Sequence, residues 1–422
     1  MSRPRPLRRA PAVGALAVLV CFLGITAGSA GKPSVEASTF TVAGPSFVGT
    51  SVPTGTKRAE SDVWWNDGSW WASMWSRGSH GFHIFRFSTR SRRWLNTGTE
   101  IDHRSNTDSD VLWDGTHLYV ASHRRVRDLT PAQPGVPSYL YRFSYNRRTH
   151  RYTLDSGFPT VINRYRTETL VIAKDGRGVV WATWQQDDRI YLNHTVPGNE
   201  RRWATPLPLG FPEAQTTVDD ISSLVVLPGR IGIMWSNQFP ALDGVYFSVH
   251  RDGAPPMTWS PPEEALVGSR TADDHINLMA DSSGVVYAAV KTSNIHNDPL
   301  TLLLVRSRSG SWTRTLFGSA AECHNRPVVV LDERRRLLHM FATAPDPGSG
   351  VCSSSGGAIY EKTTDLDSIS FPAGRGQLVL SDPGDPFITN ASVSKQNLTG
   401  RQGMLLLAVN LRTSRYRTFY SR

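Results

Sequence analysis

Ionisable side chains recur along the chain directly before short apolar segments. The set consists of Glu60, Asp62, Asp108, Asp110, Glu168, Asp219, Asp220, Asp273, Asp274, His275 and His324. Carboxylates and imidazoles are the groups that enzymes use most often for general acid–base catalysis. Carboxyl groups packed together also raise one another's pKa values, a cost that usually accompanies a bound cation, a polar ligand or proton transfer. The pattern therefore indicates a polar site, provided that the fold brings these segments together.

A second set of polar side chains lies at the ends of the following apolar segments. It consists of His123, Arg124, Gln185, Gln186, Asn237, Gln238 and Lys291, and Arg326 adds a guanidinium just after His324. A carboxylate facing histidines and an arginine suits acid–base chemistry on a sugar ring, or neutralisation of a uronic-acid carboxylate. Two opposed carboxylates, such as Glu60 or Glu168 with Asp274, suit a glycosidase pair instead.

These patterns define two groups of candidate residues. The predicted catalytic residues are Asp274, His275, His324, Arg326, Glu168 and Asp220, and the predicted substrate-binding residues are Glu60, Asp62, Asp110, His123, Arg124, Asn237, Gln238 and Lys291. The alternative is structural, because Asp and Asn near turns commonly cap strands and hydrogen-bond backbone groups.

Seven repeated segments must position these residues. Each runs from a polar start through an apolar strand and a turn into a second strand, and the starts are Glu60, Asp108, Thr167, Asp219, Asp273, Cys323 and Asn390. A period of this length is typical of a β-propeller with one four-stranded sheet per repeat. We therefore predict an all-β propeller, with seven blades favoured over six or eight. In such a fold the first-strand starts and second-strand ends meet at one mouth of the central channel.

The chain ends predict how the ring closes. The last repeat supplies only three strands, ASVSKQ, MLLLAVN and RYRTFYS, while residues 39–49 offer one unassigned strand, TFTVAGPSFVG. Pairing this N-terminal strand into the last blade would remove an exposed sheet edge.

The N-terminus has the features of a secretory signal. Basic residues precede an apolar stretch and a small-residue cleavage site, which predicts a signal peptide over 1–30, a leader over 31–38, one propeller domain over 39–422, and a secreted protein. Outside the signal only Cys323 and Cys352 remain, and an isolated pair in an exported protein predicts one disulfide.

Charge and motifs limit the partners. The formal net charge is +10, but four of the positive charges are arginines of the signal segment. The arginine clusters at 124–127 and 334–336 lack interleaved aromatic residues, which argues against nucleic acid. The sequence predicts an extracellular polysaccharide or glycan as partner, no membrane span in the mature chain, and a monomer.

No cofactor is required, although the carboxylates of Asp108 and Asp110 are compatible with a structural calcium ion.

Two segments carry a family resemblance. DDHINLMADSSGVVYAAVKTS from Asp273 and CHNRPVVVLDERRRLLHMFATAP from Cys323 resemble segments of secreted bacterial propellers of the sialidase-like, BNR-type superfamily. The Ser-x-Asp-x-Gly-x-Thr-Trp boxes and the Phe-Arg-Ile-Pro motif of sialidases are absent, so no catalytic residue carries over and sialidase activity is not expected. The expected function is a carbohydrate-active enzyme, either a glycoside hydrolase or a polysaccharide lyase. The alternative is a non-catalytic propeller that binds a glycan or a protein.

Overall fold

The computed structural model describes residues 39–422 except 52, 56, 58, 295–297, 346–355, 383–384 and 401. The predicted signal peptide and leader lie outside these residues, so the division at residues 30 and 38 stays a prediction. Within the described residues the helices are two short 3-10 turns, Pro212–Ala214 and Ala320–Glu322. None of the described helices reaches the length and apolarity that crossing a bilayer needs.

The strands form seven separate antiparallel sheets. Blade 1 contains β2 (Val63–Asn66), β3 (Ser69–Ser76), β4 (Gly81–Ser88) and β5 (Arg93–Asp102). Blade 2 contains β6 (Thr107–Trp113), β7 (His117–Arg124), β8 (Gln133–Asn146), β9 (Arg151–Leu154) and β10 (Thr160–Arg166). Blade 3 contains β11 (Val171–Lys174), β12 (Val180–Gln186), β13 (Arg189–Val196), β14 (Asn199–Trp203) and β15 (Leu207–Pro208).

The remaining four sheets have four strands each. Blade 4 contains β16 (Ser222–Leu227), β17 (Arg230–Asn237), β18 (Gly244–Arg251) and β19 (Glu263–Val267). Blade 5 contains β20 (Ile276–Ala280), β21 (Val286–Lys291), β22 (Pro299–Arg306) and β23 (Trp312–Ser319). Blade 6 contains β24 (Asn325–Asp332), β25 (Leu337–Ala344), β26 (Ala358–Asp365) and β27 (Gln377–Leu380). Blade 7 contains β28 (Ile388–Ser392), β29 (Met404–Asn410), β30 (Arg415–Ser421) and β1 (Thr39–Ser46).

The first strands of successive blades contact one another in chain order around the ring, from β2 to β6 and on to β28. This confirms the predicted seven-bladed propeller. The second strands are rich in apolar residues because both of their faces are covered, and every residue of β12 is buried. Asp67 and Gly68, both with positive φ, make the tight turn between β2 and β3.

The N-terminal strand closes the ring as predicted. β1 pairs antiparallel with β30, from Thr39 opposite Ser421 to Ser46 opposite Arg415. It becomes the outermost strand of blade 7, and the order of that sheet is β1, β30, β29 and β28. The closure covers the edge that β30 would otherwise expose.

The closure has a consequence for the channel. β1 is the outermost strand of blade 7 and β2 is the innermost strand of blade 1, so residues 47–62 must cross from the rim to the axis. The Ser51 amide donates to Asn106 Oδ1 at 3.0 Å, and the Thr54 hydroxyl donates to the Asn390 carbonyl at 3.3 Å. Near the axis the Ile276 amide of blade 5 donates to the Lys57 carbonyl at 3.4 Å. We call residues 47–62 the crossing segment.

Tyr416 joins the crossing segment to blades 7 and 1. Its buried hydroxyl donates to the Pro53 carbonyl at 3.0 Å and accepts from the Trp75 amide at 2.9 Å. A buried backbone group that loses its partner carries a desolvation penalty. We therefore predict that Tyr416→Phe lowers the free energy of unfolding by about 1–3 kcal/mol, measured by urea denaturation.

The matched control is Tyr145→Phe, which removes a hydroxyl that contacts Asp67 and His150 in an exposed setting. Water can replace those partners, so Tyr145→Phe should lower the free energy of unfolding by less than about 1 kcal/mol. Equal losses in the two variants would show that the Tyr416 hydroxyl does not hold the ring closed.

Candidate functional site

Four ionisable side chains meet at the mouth of the channel, and we call them the Lys57 cluster. The crossing segment brings the Lys57 ammonium to Glu168 Oε1 at 3.4 Å, to Asp219 Oδ1 at 3.8 Å, and into direct contact with Asp274 Oδ2. The three acids stand just before the inner strands of blades 3, 4 and 5. One oxygen from each lies within 4.8 Å of the others. The ring therefore concentrates three carboxyl groups around one cation.

Glu168 has the most perturbed environment of the cluster. Its side chain is 5% exposed, and neither carboxyl oxygen accepts a hydrogen bond from a backbone amide or a hydroxyl group among the described residues. Arg125 Nη2 lies 3.8 Å from Oε1. Burial raises the pKa of Glu168 to about 8, with Lys57 opposing the rise and Asp128 and Asp219 adding to it. Glu168 is therefore largely protonated at neutral pH.

Asp219 forms the open side of the cluster. Its side chain is 23% exposed, whereas that of Asp274 is 9% exposed. Gln238 Nε2 donates to Asp219 Oδ2 at 3.3 Å. A ligand that approaches the mouth therefore meets Asp219 and Gln238 before the deeper acids.

Asp274 connects the cluster to a second network on blade 5. His275 Nδ1 lies 2.8 Å from Asp273 Oδ1 and 2.5 Å from Asp274 Oδ1, and Lys291 Nζ donates to Asp273 Oδ2. Burial raises the pKa of Asp273, but His275 and Lys291 together lower it to about 2. Burial lowers the pKa of His275 to about 3, so its Nδ1–H donates from a neutral ring.

Arg326 lies on the same side of the mouth. Its backbone is left-handed, with φ of 53°, which a non-glycine residue adopts only under strong local constraint. Burial lowers the pKa of Arg326, and the nearby charge of Arg125 lowers it further. The carboxyl groups of Asp128 and Asp273 act in the opposite direction. The predicted grouping of Asp274, His275, Lys291 and Arg326 therefore matches the geometry, although their roles stay predictions.

Deeper in the channel, Glu60, Asp108 and His123 form the inner channel cluster, and all three are buried. His123 Nε2 lies 2.8 Å from Glu60 Oε1, which also accepts from the Leu170 amide at 2.8 Å. Burial raises the pKa of Glu60 to about 8 and that of Asp108 to about 7, and it lowers the pKa of His123 to about 4. Near neutral pH the cluster therefore combines a protonated Glu60 with a neutral histidine.

Asp62 and Asp110 link blades across the channel. Asp110 accepts from the Ser61 amide at 2.9 Å, from the Ile172 amide at 2.7 Å and from Lys395 Nζ. Asp62 Oδ1 accepts from the Ser109 hydroxyl at 3.1 Å. These contacts correspond to the structural alternative, in which the acids hydrogen-bond backbone and side-chain groups of neighbouring blades.

Two predicted site residues form hydrogen bonds inside blade 4. Asp220 accepts from the Thr217 and Gln238 amides and from the Ser236 hydroxyl at 2.7, 3.1 and 2.8 Å. Asn237 Nδ2 donates to the Glu213 and Gln215 carbonyls at 2.9 and 2.8 Å. The two residues cap the end of blade 4, so Asp219 rather than Asp220 reaches the cluster.

His324 is likewise turned into the protein. Its Nε2–H donates to the Arg375 carbonyl at 3.0 Å, and its ring packs on Phe317 with centroids 4.8 Å apart. Burial lowers its pKa to about 4. The structure thus places this ring between blades 5 and 6, which corrects its expected position beside Asp274. Arg124, at the end of β7, is only partly exposed.

The disulfide and calcium predictions remain open. Cys323 is buried, but Cys352 lies outside the described residues, so their pairing stays a prediction. The described groups close enough to share a cation are Asp273, Asp274 and His275, and Glu168, Asp219 and Asp274. A lysine ammonium already contacts each of them. Asp110, part of the predicted calcium site, is likewise bonded by Lys395.

Lys57, Arg125 and Asp128 belong to the site but were not predicted from the sequence, and Asp219 was expected at the mouth without an assigned role. Lys57 lies in a segment without strand character, so only the topology of the fold could have indicated its position. A chain that closes one blade and then opens the next must cross the channel mouth. Asp128 contacts Arg125 in the loop after β7, and Arg125 in turn faces Glu168.

Comparisons with known proteins bear on the fold alone. No protein-family profile matches the chain, and no curated protein matches it. A chain of the mitotic checkpoint complex is 8% identical, with a TM-score of 0.50, over 93% of this chain and 96% of that one. Streptogramin B lyase is 9% identical, with a TM-score of 0.49, over 91% and 98%. Polysaccharide lyase Uly1 is 10% identical, with a TM-score of 0.47, over 86% and 89%.

Removal of the central cation tests the Lys57 cluster. Lys57→Met keeps the apolar stem but leaves three carboxyl groups without their shared ammonium. We predict a loss of about 3–5 kcal/mol in the free energy of unfolding near pH 8. Lys57 lowers the pKa of Glu168, so this pKa rises further in the folded variant; stability is then lost as pH rises, and the deficit should shrink near pH 5.

The control for Lys57 is Arg336→Met, because Arg336 pairs with Asp367 in a solvent-exposed position. It should leave the unfolding curve unchanged at both pH values. A Lys57→Met variant as stable as the wild type near pH 8 would contradict the role given to this ammonium.

The inner channel cluster predicts a pH effect with a definite sign. The folded-state pKa of Glu60 is about 8 against an ordinary value of 4.5, so its contribution is full below 4.5 and is lost as pH rises through about 8. Glu60→Gln stays neutral across this window and retains an acceptor for Leu170. Urea denaturation should therefore show a smaller loss of stability between about pH 5 and pH 8 in Glu60→Gln than in the wild type. An equal loss of stability over this pH range in Glu60→Gln and the wild type would contradict a buried, protonated Glu60.

Proposed function

We propose that the protein is a secreted glycoside hydrolase that acts at the Lys57 cluster, with Glu168 as the general acid. The observation that carries this proposal is the pairing of a buried, largely protonated carboxyl group with carboxyl oxygens within 4.8 Å at the channel mouth. Glycosidases use one protonated and one ionised carboxyl group, and the environment of each group determines which role it takes.

The environments suggest a role for each residue. Glu168 would transfer its proton to the glycosidic oxygen as the bond to the anomeric carbon breaks. Asp219, the most exposed acid of the cluster, would face that carbon as the second carboxylate. Asp274 is held by Lys57 and His275 and would position the ammonium rather than react. In a retaining course Asp219 would bond to the anomeric carbon as the glycosidic bond breaks. Water would then displace Asp219 from that carbon while giving its proton to Glu168.

The separation of the carboxyl groups favours one stereochemical course. Carboxyl groups about 5 Å apart are typical of retaining enzymes, whereas inverting enzymes need about 6.5–9.5 Å to admit a water molecule. One oxygen from each acid of the Lys57 cluster lies within 4.8 Å of the others, which is closer than the inverting separation and favours the retaining arrangement. Arg125 and Arg326 beside Asp128 add positive charge next to Glu168, which suits a substrate with acidic sugars.

A second candidate is a non-catalytic propeller that binds a glycan or a protein through the same face. The observation in its favour is that many of the polar residues at the mouth are used in internal hydrogen bonds, as Asp110, Asp220 and Asn237 are. In this case the carboxyl groups of the cluster would recognise a ligand without transferring a proton.

Glu168→Gln tests the enzymatic proposal. The wild type is screened against neutral and uronic polysaccharides, with reducing-end release as the readout for hydrolysis and ultraviolet absorbance of unsaturated sugars as the readout for a lyase. We predict that Glu168→Gln lowers kcat by at least about 100-fold, since a positioned general acid contributes about 10²–10⁴. The wild-type rate should fall as pH rises through about 8, because Glu168 acts in its protonated form.

Glu264→Gln is the matched control, because Glu264 is exposed on the outer strand β19 of blade 4. It should retain wild-type activity. Hydrolysis that survives in Glu168→Gln would refute the role of Glu168, and unsaturated products would identify a lyase instead. Glycan binding without cleavage across the panel would favour the second candidate.

A further inference from the structure

A cavity lies outside the Lys57 cluster, between the outer strands of blades 2 and 3. Its volume is about 590 Å³, and its wall is formed by β10, β13, β14 and the residues that follow β14. A cavity of this size falls within the range of small-molecule sites. The end of β12 also contributes Gln186, so the cavity opens towards the same face as the mouth of the channel.

Three aromatic side chains line this cavity. Tyr165, Tyr191 and Trp203 are each partly exposed there. The Trp203 indole N–H donates to the Thr160 hydroxyl at 3.0 Å, and the Tyr191 ring stacks on Trp184 with centroids 6.1 Å apart. Both rings are therefore held in place before a ligand arrives. Fixed, partly exposed aromatic faces are suited to stack on the C–H face of a sugar ring.

A buried amide in the wall provides an independent sign of a ligand. Asn163 is 4% exposed, and its Oδ1 accepts from the Tyr165 amide at 2.9 Å, but its Nδ2 has no hydrogen-bond partner among the described residues. Buried polar groups without partners are uncommon because each carries a desolvation penalty. Asn163 is one of the residues that line the cavity, so this unpaired donor lies beside the space that a ligand would occupy.

The charge of the cavity indicates an anion. Arg164, Arg201 and Arg202 line it and are exposed, and none of the described lining residues is acidic. Asp187 lies next to the lining residue Gln186, whose Nε2 donates to Asp187 Oδ2 at 2.8 Å. Guanidinium groups bind carboxylates with two parallel hydrogen bonds. Three exposed arginines around fixed aromatic rings therefore match a sugar that carries carboxylate groups.

We propose that this cavity is a binding subsite for an oligosaccharide of uronic acids. The sugar rings stack on Tyr191 and Trp203, the carboxylates pair with Arg164 and Arg202, and a ring hydroxyl accepts from Asn163. The choice of a glycan rests on the proposed function, whereas the negative charge of the ligand rests on the arginines of the cavity. The subsite would hold one part of an acidic polysaccharide while another part reaches the Lys57 cluster.

The test is calorimetric titration of the full chain with tetragalacturonate. The binding protein carries Glu168→Gln so that turnover does not interfere, and the Arg164→Ala/Arg202→Ala pair is added to it. We expect the pair to weaken binding at least about tenfold, since hydrogen bonds to charged groups are lost. Asn163→Leu should weaken binding as well, and a neutral tetrasaccharide of glucose should bind at least about tenfold more weakly than tetragalacturonate.

Arg314→Ala is the matched control, because Arg314 is exposed on β23, an outer strand of blade 5. It should leave tetragalacturonate binding unchanged, and unchanged unfolding curves show that each variant is folded. Four results would overturn the subsite: no tetragalacturonate binding, equal affinity in the arginine pair, an equal loss in Arg314→Ala, or equally tight binding of polyglutamate. An active Glu168→Gln enzyme with arginine-dependent binding would refute only the proposed catalytic role.

Discussion

The contact of one lysine with three carboxyl groups governs the mouth of this propeller. Blades 3, 4 and 5 deliver Glu168, Asp219 and Asp274 to one place, where mutual repulsion would oppose ring closure without a cation. Lys57 offsets this repulsion. It reaches the acids because the segment that follows the closing strand must cross the mouth. The same stretch of chain therefore completes the sheet of blade 7 and neutralises the acids at the axis.

Two kinds of polar group share the channel, and their environments separate them. Asp110 and Asp220 are surrounded by backbone amides and hydroxyls, which is how buried carboxylates become structural. Glu168 lacks such donors and stays largely protonated, so its proton is available to a substrate. This difference in hydrogen bonding, rather than residue type or position in the repeat, is what marks Glu168 as a candidate acid.

The repeat pattern was sufficient to predict the fold. Polar starts, apolar strands and Asp-Gly turns are local features, so the seven blades and the closing strand could be derived from sequence. The site was only partly predictable. Glu168, Asp274, His275 and Arg326 lie at the expected face, but the sequence could not tell that Asp219 faces the axis while Asp220 caps blade 4. Lys57 could not be recognised because its position depends on the path of an irregular segment, and His324 because the direction of its ring depends on blade packing.

The central claim is that Glu168 keeps its proton at neutral pH within the Lys57 cluster, and infrared difference spectroscopy tests it most directly. The spectrum of the wild type minus that of Glu168→Gln isolates the carboxyl group of Glu168 from the other buried acids. The account predicts a protonated-acid carbonyl band at about pH 6 that disappears with a midpoint of about 8. A carboxylate signal already complete at about pH 6 would contradict it, because a deprotonated Glu168 has no proton to donate.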